Sequence, residues 1–281
     1  MVSRKFKRKW WNRFMLSLTI LATGIALVPL ASILVYVALK GLPALNWEFF
    51  TQLPKAVGEP GGGLANAILG TIILVLLAAG IALPLGILTG IYLAEFGKDR
   101  VAFIVRFLCD VLTGVPSIIV GIVVYSTVVL TMKRFSALAG GIALAIIMLP
   151  LVARSTEEML RLVPHSLREA SLALGATQGR TIRSVVLRSA LGGIVTGAML
   201  AIARVSGETA PLLFTALNSR YWPTGLDERI ASLPVYIFTY STTPYEDLHR
   251  LAWGAALVLV TMVLGTSVAA RLAAKKVNGG K

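Results

Sequence analysis

The stretch PHSLREASLALGATQGRTIRSVVL, residues 164–187, carries the reading of the whole chain. Ser166 and Glu169 stand three apart, the spacing of a capping box. There the serine hydroxyl accepts from the Glu169 amide and the carboxylate reaches back. Gly175 supplies a stop for the helix so begun. Leu167, Ala170, Ser171 and Leu174 fall at i, i+3, i+4 and i+7, which predicts one narrow face of small and apolar groups. Such a helix is too short to be stable alone, so its free face should dock. An ordinary amphipathic surface helix has the same local pattern. A plug for a partner's cleft is the sharper reading, and the place of the stretch between two membrane spans favours it.

Outward from this stretch the chain is apolar. Hydrophobic residues make up 56% and charged residues 14%, with a mean hydropathy of +0.80. A soluble domain carries about 25% charged residues, so this is an integral membrane protein. Against the roughly 20 residues that cross a bilayer, charge-free windows predict an all-α protein of six spans. They are 14–39, 60–94, 111–132, 135–153, one beginning near Ser189 that carries Arg204 and Glu208 before Pro211, and 251–270. Pro84 is expected to bend or end the second helix. The basic segment 1–13 before an apolar run has the outline of a signal peptide. The run 14–39 is longer than the ~7–15 residues of a signal core, so it is expected to stay as a first transmembrane span.

The net charge of +14 does not point to nucleic acid, because the basic residues sit in short loops between spans. Of 27 Lys and Arg, nineteen lie on the side of both termini and the 155–188 loop, seven lie opposite, and Arg204 is within a span. That excess predicts cytoplasmic termini and a cytoplasmic loop. On the outer side, 41–63 carries Trp47, Phe49 and Phe50, and 219–249 carries Tyr221, Trp222, Tyr236, Phe238, Tyr240 and Tyr245. These aromatics fit an interfacial belt or a docking surface for an extracytoplasmic partner. Residues 230–240 are apolar but too short to cross and contain Pro234, so they are read as interfacial or re-entrant. Gly193, Gly197 and Ala201 recur every four residues, a spacing that lets helices approach closely, and Gly140-Gly141 opens span four similarly.

No catalytic constellation is visible. His165 and His249 fall on opposite sides of the membrane, and metal-ligand spacing is missing. No G-x-x-x-x-G-K-[ST] occurs, so any ATP hydrolysis belongs to another subunit. The one cysteine, Cys109, forms no internal disulfide, and Asp110 has no evident partner. The informative polar pair is Arg204 and Glu208, four apart and about 6 Å along a helix axis. Ionised groups inside spans usually face a bundle interior or a water-filled path. Either the two neutralise each other, or a passing oxyanion competes with Glu208 for the guanidinium through bidentate hydrogen bonds. Thr113-Gly114-Val115-Pro116-Ser117 is a second candidate. Its Gly and Pro could free backbone N–H groups for an anion, or Pro116 could occupy an ordinary first helical turn.

Glu169-Ala170-Ser171, Gly175 and Val185-Val186-Leu187-Arg188 resemble the coupling signature of binding-protein-dependent ABC permeases. In that signature Glu-Ala-Ala is followed by Gly and later by Ile-x-Leu-Pro; here Ser171 replaces the second Ala and Arg188 the terminal Pro. Three further stretches resemble the permeases of bacterial phosphate importers. They are Gly114-Val115-Pro116-Ser117-Ile118-Ile119-Val120-Gly121, Leu149-Pro150 with Arg154-Ser155-Thr156-Glu157-Glu158-Met159-Leu160, and Ala203-Arg204-Val205-Ser206-Gly207-Glu208-Thr209-Ala210-Pro211-Leu212. The resemblance runs from about span two to the C-terminus. It implies a permease core over 60–273, with five spans and the coupling loop 155–188, in a bacterial inner membrane. It also implies half of a translocation pathway for inorganic phosphate and no enzymatic activity or cofactor in this chain. The implied partners are a second, similar permease, an ATPase pair that binds ATP and Mg, and a soluble phosphate-binding protein outside. Leu167, Glu169, Ala170, Ser171, Leu174 and Gly175 would meet the ATPase, and Arg204, Glu208 and Thr209 would line the path. Another oxyanion (sulfate, molybdate or a phosphonate) fits the same machine, and a scaffold for phosphate sensing is a further alternative.

Overall fold

The computed structural model describes residues 2–56, 59, 61–97 and 99–278. Apolar runs bounded by Gly, Pro and charged residues fold into helices, and no strand occurs among the described residues. In chain order these are α1 (Val2–Gly41), α2 (Trp47–Thr51), α3 (Ala65–Glu95), α4 (Arg100–Gly114) and α5 (Ser117–Met132). They continue with α6 (Ala137–Arg161), α7 (His165–Ala173), α8 (Gln178–Ser206), α9 (Ala210–Thr215), α10 (Leu233–Ser241) and α11 (Glu246–Asn278). Five helices are long and apolar enough to cross a membrane, and six crossings result if α4 and α5 form one broken span.

The centre of the fold is the contact of α3 with α6. A Cβ on Gly86 would lie 2.8 Å from the Val152 Cβ, and one on Gly90 would lie 2.6 Å from the Thr156 Cβ. Only hydrogen at these positions lets the backbones come so close. Leu74, Ala78 and Ala82 of α3 bury against Leu144, Met148 and Val152 of α6, with Ala201 and Val205 of α8 completing the layer. Gly193 and Gly197 of α8 face Met159 and Ser155 of α6, as the four-residue spacing predicts. Gly140 and Gly141 likewise admit Leu74 and Leu77. By contrast α1 touches the bundle through α11 near its end, where Tyr36 meets Trp253 edge to face at 5.2 Å.

Three expectations need correction. Pro84 does not end the second helix: α3 runs unbroken from Ala65 to Glu95, held by α6 on both sides of the proline. Pro60, the expected start of that span, lies outside the described residues. Span three is not one straight helix over 111–132. It breaks at Val115–Pro116, and α4 and α5 meet at 103°. Val115 is extended (φ −70°, ψ 130°), as a residue before proline should be, and Pro116 has no N–H to continue the ladder. Finally, the fifth helix begins at Gln178 rather than near Ser189. The Thr177 hydroxyl caps it by accepting from the Arg180 amide at 3.4 Å.

At the outer end, the free amides of the first turn of α6 are taken up by later parts of the chain. Ser136 N–H donates to the Thr215 carbonyl at 3.0 Å, Ala137 to Glu228 at 2.9 Å and Leu138 to Leu226 at 2.9 Å. Residues 230–240 do not cross. They run in as a buried extended segment and turn into α10, whose Leu233 amide donates to Thr71 Oγ1 of α3 at 2.8 Å.

Replacing Gly90 by Val should overpack the α3–α6 contact and cost about 2 kcal/mol, read as a lowered thermal midpoint in detergent. Gly80 has nothing within 4 Å of its would-be Cβ. Gly80→Ala should therefore be neutral or stabilise by up to about 1 kcal/mol.

Candidate coupling helix and helix break

Gly207 and Pro211 interrupt the fifth span. The α8 helix ends at Ser206, with Gly207 N–H donating to the Arg204 carbonyl at 3.3 Å and Glu208 N–H to Val205 at 3.2 Å. Pro211 sits in the first turn of α9, where a missing N–H does no harm. Arg204 therefore occupies the last turn of α8, while Glu208 and Thr209 lie in the break beyond it. This corrects the expectation of a shared helix face. Among the described residues Arg204 and Glu208 form no ion pair with each other or with any other group. Arg204 is exposed and rests at the negative end of the α8 dipole, which favours its charge.

The two broken spans come together. A Cβ on Gly121 of α5 would lie 2.7 Å from the Pro211 Cα. The stretch after the Val115–Pro116 break thus packs on the stretch after the Gly207 break, and two motifs far apart in sequence make one region. Thr113 lies before the break, in the last turn of α4, where its hydroxyl donates to the Cys109 carbonyl at 2.8 Å.

The coupling stretch is a helix, but not by the expected device. Its N-cap is Pro164, which has no side-chain acceptor, and Ser166 is already helical. The capping box is therefore not formed, and Glu169 remains exposed. The stop is as predicted: Gly175 takes φ +80°. Its amide donates to the Leu172 carbonyl at 2.9 Å, and the Ala176 amide donates to Ser171 at 3.2 Å. Leu167, Ala170 and Leu174 stand free, with Leu174 88% exposed. Ser171 departs from that face, because its hydroxyl lies 2.9 Å from the Thr181 hydroxyl of α8.

Sequence reasoning missed the charges that lock the inner end of the bundle. Glu157 of α6 is 2% exposed and meets Arg106 at 2.7 Å, Arg161 at 2.6 Å and Arg154 at 3.3 Å. Arg154 also pairs with Asp110 at 2.7 Å, which supplies the partner the sequence did not reveal. Arg106 reaches from α4 to the Leu93 and Gly97 carbonyls at 2.7 and 3.0 Å, covering the end of α3. Asp99 caps α4 by accepting from the Ala102 amide at 3.0 Å, and that bond holds its carboxyl below the usual range. The available signal was Glu157 three and four residues from arginines on a helix continuing past Ala153.

Residues 82–278 match the family described as binding-protein-dependent transport system inner membrane component. The chain belongs to that family. As a binding-protein-dependent inner membrane component it is a multi-pass transport protein, and such a component works with an energising ATPase and a substrate-binding protein. It is 45% identical over 276 residues to the phosphate transport system permease protein PstA of Yersinia pestis, covering 97% of this chain and 94% of that one. It is 39% identical over 254 residues to the probable phosphate transport system permease protein PstA of Methanocaldococcus jannaschii, covering 90% of each. An inward-facing structure of the MetNI methionine ABC transporter shares the fold, with TM-score 0.65 and 20% identity over 76% of this chain and 95% of that one.

Glu157→Gln should leave arginines facing a buried neutral amide. The expected loss is about 3 kcal/mol, measured by thermal unfolding of the purified protein in detergent. Glu158→Gln, at the exposed neighbouring position, should leave the midpoint unchanged.

Proposed function

We propose that this chain is the permease subunit of an ATP-driven importer of inorganic phosphate and forms half of its translocation pathway. The observation that carries the reading is identity of 39–45% to phosphate transport permeases along 90–97% of this chain. Its partners are a second permease of the PstC type, two ATPase subunits of the PstB type and an extracytoplasmic phosphate-binding protein of the PstS type. Both termini and α7 face the cytoplasm, in keeping with the excess of Lys and Arg there. ATP and Mg bind on the ATPases, and this chain carries no cofactor of its own.

The geometry supports a division of labour. Arg204 offers an unpaired planar guanidinium that can hold two oxygens of a phosphate at once. Glu208 and Thr209, in the break, stand where the backbone leaves the helix, the kind of irregular segment tolerated at membrane depth only against protein or a water-filled path. A negative Glu208 beside the path keeps phosphate from resting too tightly on Arg204. At the inner face Leu167, Glu169, Ala170, Leu174 and Gly175 present the surface for the ATPase, while Ser171 holds α7 to α8. Closure of the ATPases on ATP moves α7 and reorients the path.

Labelled phosphate uptake tests this reading in cells that lack the native gene but contain the partner subunits. Wild type should restore phosphate uptake without changing sulfate uptake, and failure to do so would overturn the phosphate assignment. Arg204→Gln at equal membrane abundance should lower phosphate uptake severalfold while ATPase subunits still copurify. Glu169→Lys should leave the protein in the membrane but separate ATP hydrolysis from uptake. Normal uptake by that variant would remove Glu169 from the ATPase contact.

A further inference from the structure

The coupling helix α7 has no buried residue of its own. It is therefore not held by a hydrophobic core, and its side-chain ties to α3 and α6 are polar bonds. Arg168 makes most of them. Its Nη2 donates to Glu95 Oε1 at 2.7 Å and to the Leu160 carbonyl at 2.9 Å. Its Nε donates to both Glu95 oxygens at 3.3 and 3.4 Å, and its Nη1 donates to the Val163 carbonyl at 2.5 Å. One guanidinium thus ties α7 to the last residue of α3 and to the last turn of α6. The two side chains are only 15% and 8% exposed, so water screens the pair poorly. The tie to α8 is of another kind: α7 packs along the first turns of α8, and the one side-chain hydrogen bond there is the neutral contact between the Ser171 and Thr181 hydroxyls. Charge-assisted bonds are roughly twice as strong as neutral ones. Directly after Thr181, α8 carries the wider π turn Ile182–Val186, a local irregularity in its hydrogen-bond ladder.

We propose that Arg168 is the positioning residue through which motion of the coupling helix reaches α3 and α6, so that these three helices move as one body. The proposal rests on the importer reading above. The α3 and α6 helices cannot slide past each other, because Gly86 and Gly90 seat them against Val152 and Thr156 without slack. A force on α7 must therefore carry both helices or tear Arg168 from Glu95. The start of α8 follows through its packing on α7 and the neutral Ser171–Thr181 bond, and the π turn stands between that start and the far end of the helix, where Arg204 lies.

The test uses the complete importer in lipid nanodiscs, with spin labels on His165→Cys of α7 and Leu88→Cys of α3, both exposed positions. Pulsed electron resonance reads the distance between them without nucleotide and with a non-hydrolysable ATP analogue. Wild type should show the same distance in both states; a shift would overturn the proposal. The double variant Glu95→Gln with Arg168→Met removes both charges and so leaves none buried without a partner. It should assemble, let the distance change with nucleotide, and lower the phosphate carried per ATP by about fivefold or more. Phosphate per ATP at the wild-type value would also overturn the proposal. Should the double variant fail to assemble, the wild-type distances alone decide. A wild-type importer that moves with ATP but carries no phosphate would count against the substrate assignment, and its distances would still test Arg168.

Discussion

The close approach of α3 and α6 is the constraint on which the other contacts depend. Two glycines of α3 let its backbone rest on the side chains of α6, and lipid offers no hydrophobic force that would press the two together from outside. Contact at this range comes from dispersion over many atoms. Once made, it fixes the frame against which α8, α9 and α10 pack. It also explains why Pro84 is harmless: the hydrogen bond missing from α3 matters little when a neighbouring helix holds both halves.

Charge then does at the inner end what close packing does at the middle. Glu95 is paired with Arg168 of α7, and Glu157 with Arg106 of α4 and with Arg154 and Arg161 of its own helix. Arg106 and Arg168 also cover carbonyls at the ends of α3 and α6, so the same side chains neutralise an acid and finish a helix. The outer end has fewer charges in its joints and uses backbone amides, a threonine hydroxyl and packed aromatics instead. The bundle is therefore stiff at the middle and bound by ions where a nucleotide-driven partner would act.

Much of this was legible in the residues. The apolar windows located the spans, Gly175 located the end of the coupling helix, and the four-residue spacing of Gly193, Gly197 and Ala201 named the face that packs. What escaped has a common cause. A charge-free window ends a span at its first ionised group, but helices do not end there. The windows stopped at Ala94 and Ala153, one residue before Glu95 and one before Arg154, so the locking charges were assigned to loops. The Arg204–Glu208 pair failed for the opposite reason. A spacing of four implies a shared face only while the helix continues, and Gly207 with Pro211 ends it. The capping box failed because the helix takes Pro164 as its N-cap, two residues before Ser166, and begins at His165.

The outer bonds of α6 also bear on how the protein is made. The amides of Ser136, Ala137 and Leu138 find their acceptors at Thr215, Leu226 and Glu228. Those acceptors are about eighty to ninety residues downstream in the order of synthesis. Until the ribosome has delivered them, the start of α6 lacks its final partners, and bare amides are costly wherever water is scarce. Insertion of the central helix and its completion are separate events, and the second waits for the end of α9 and the stretch after it to emerge.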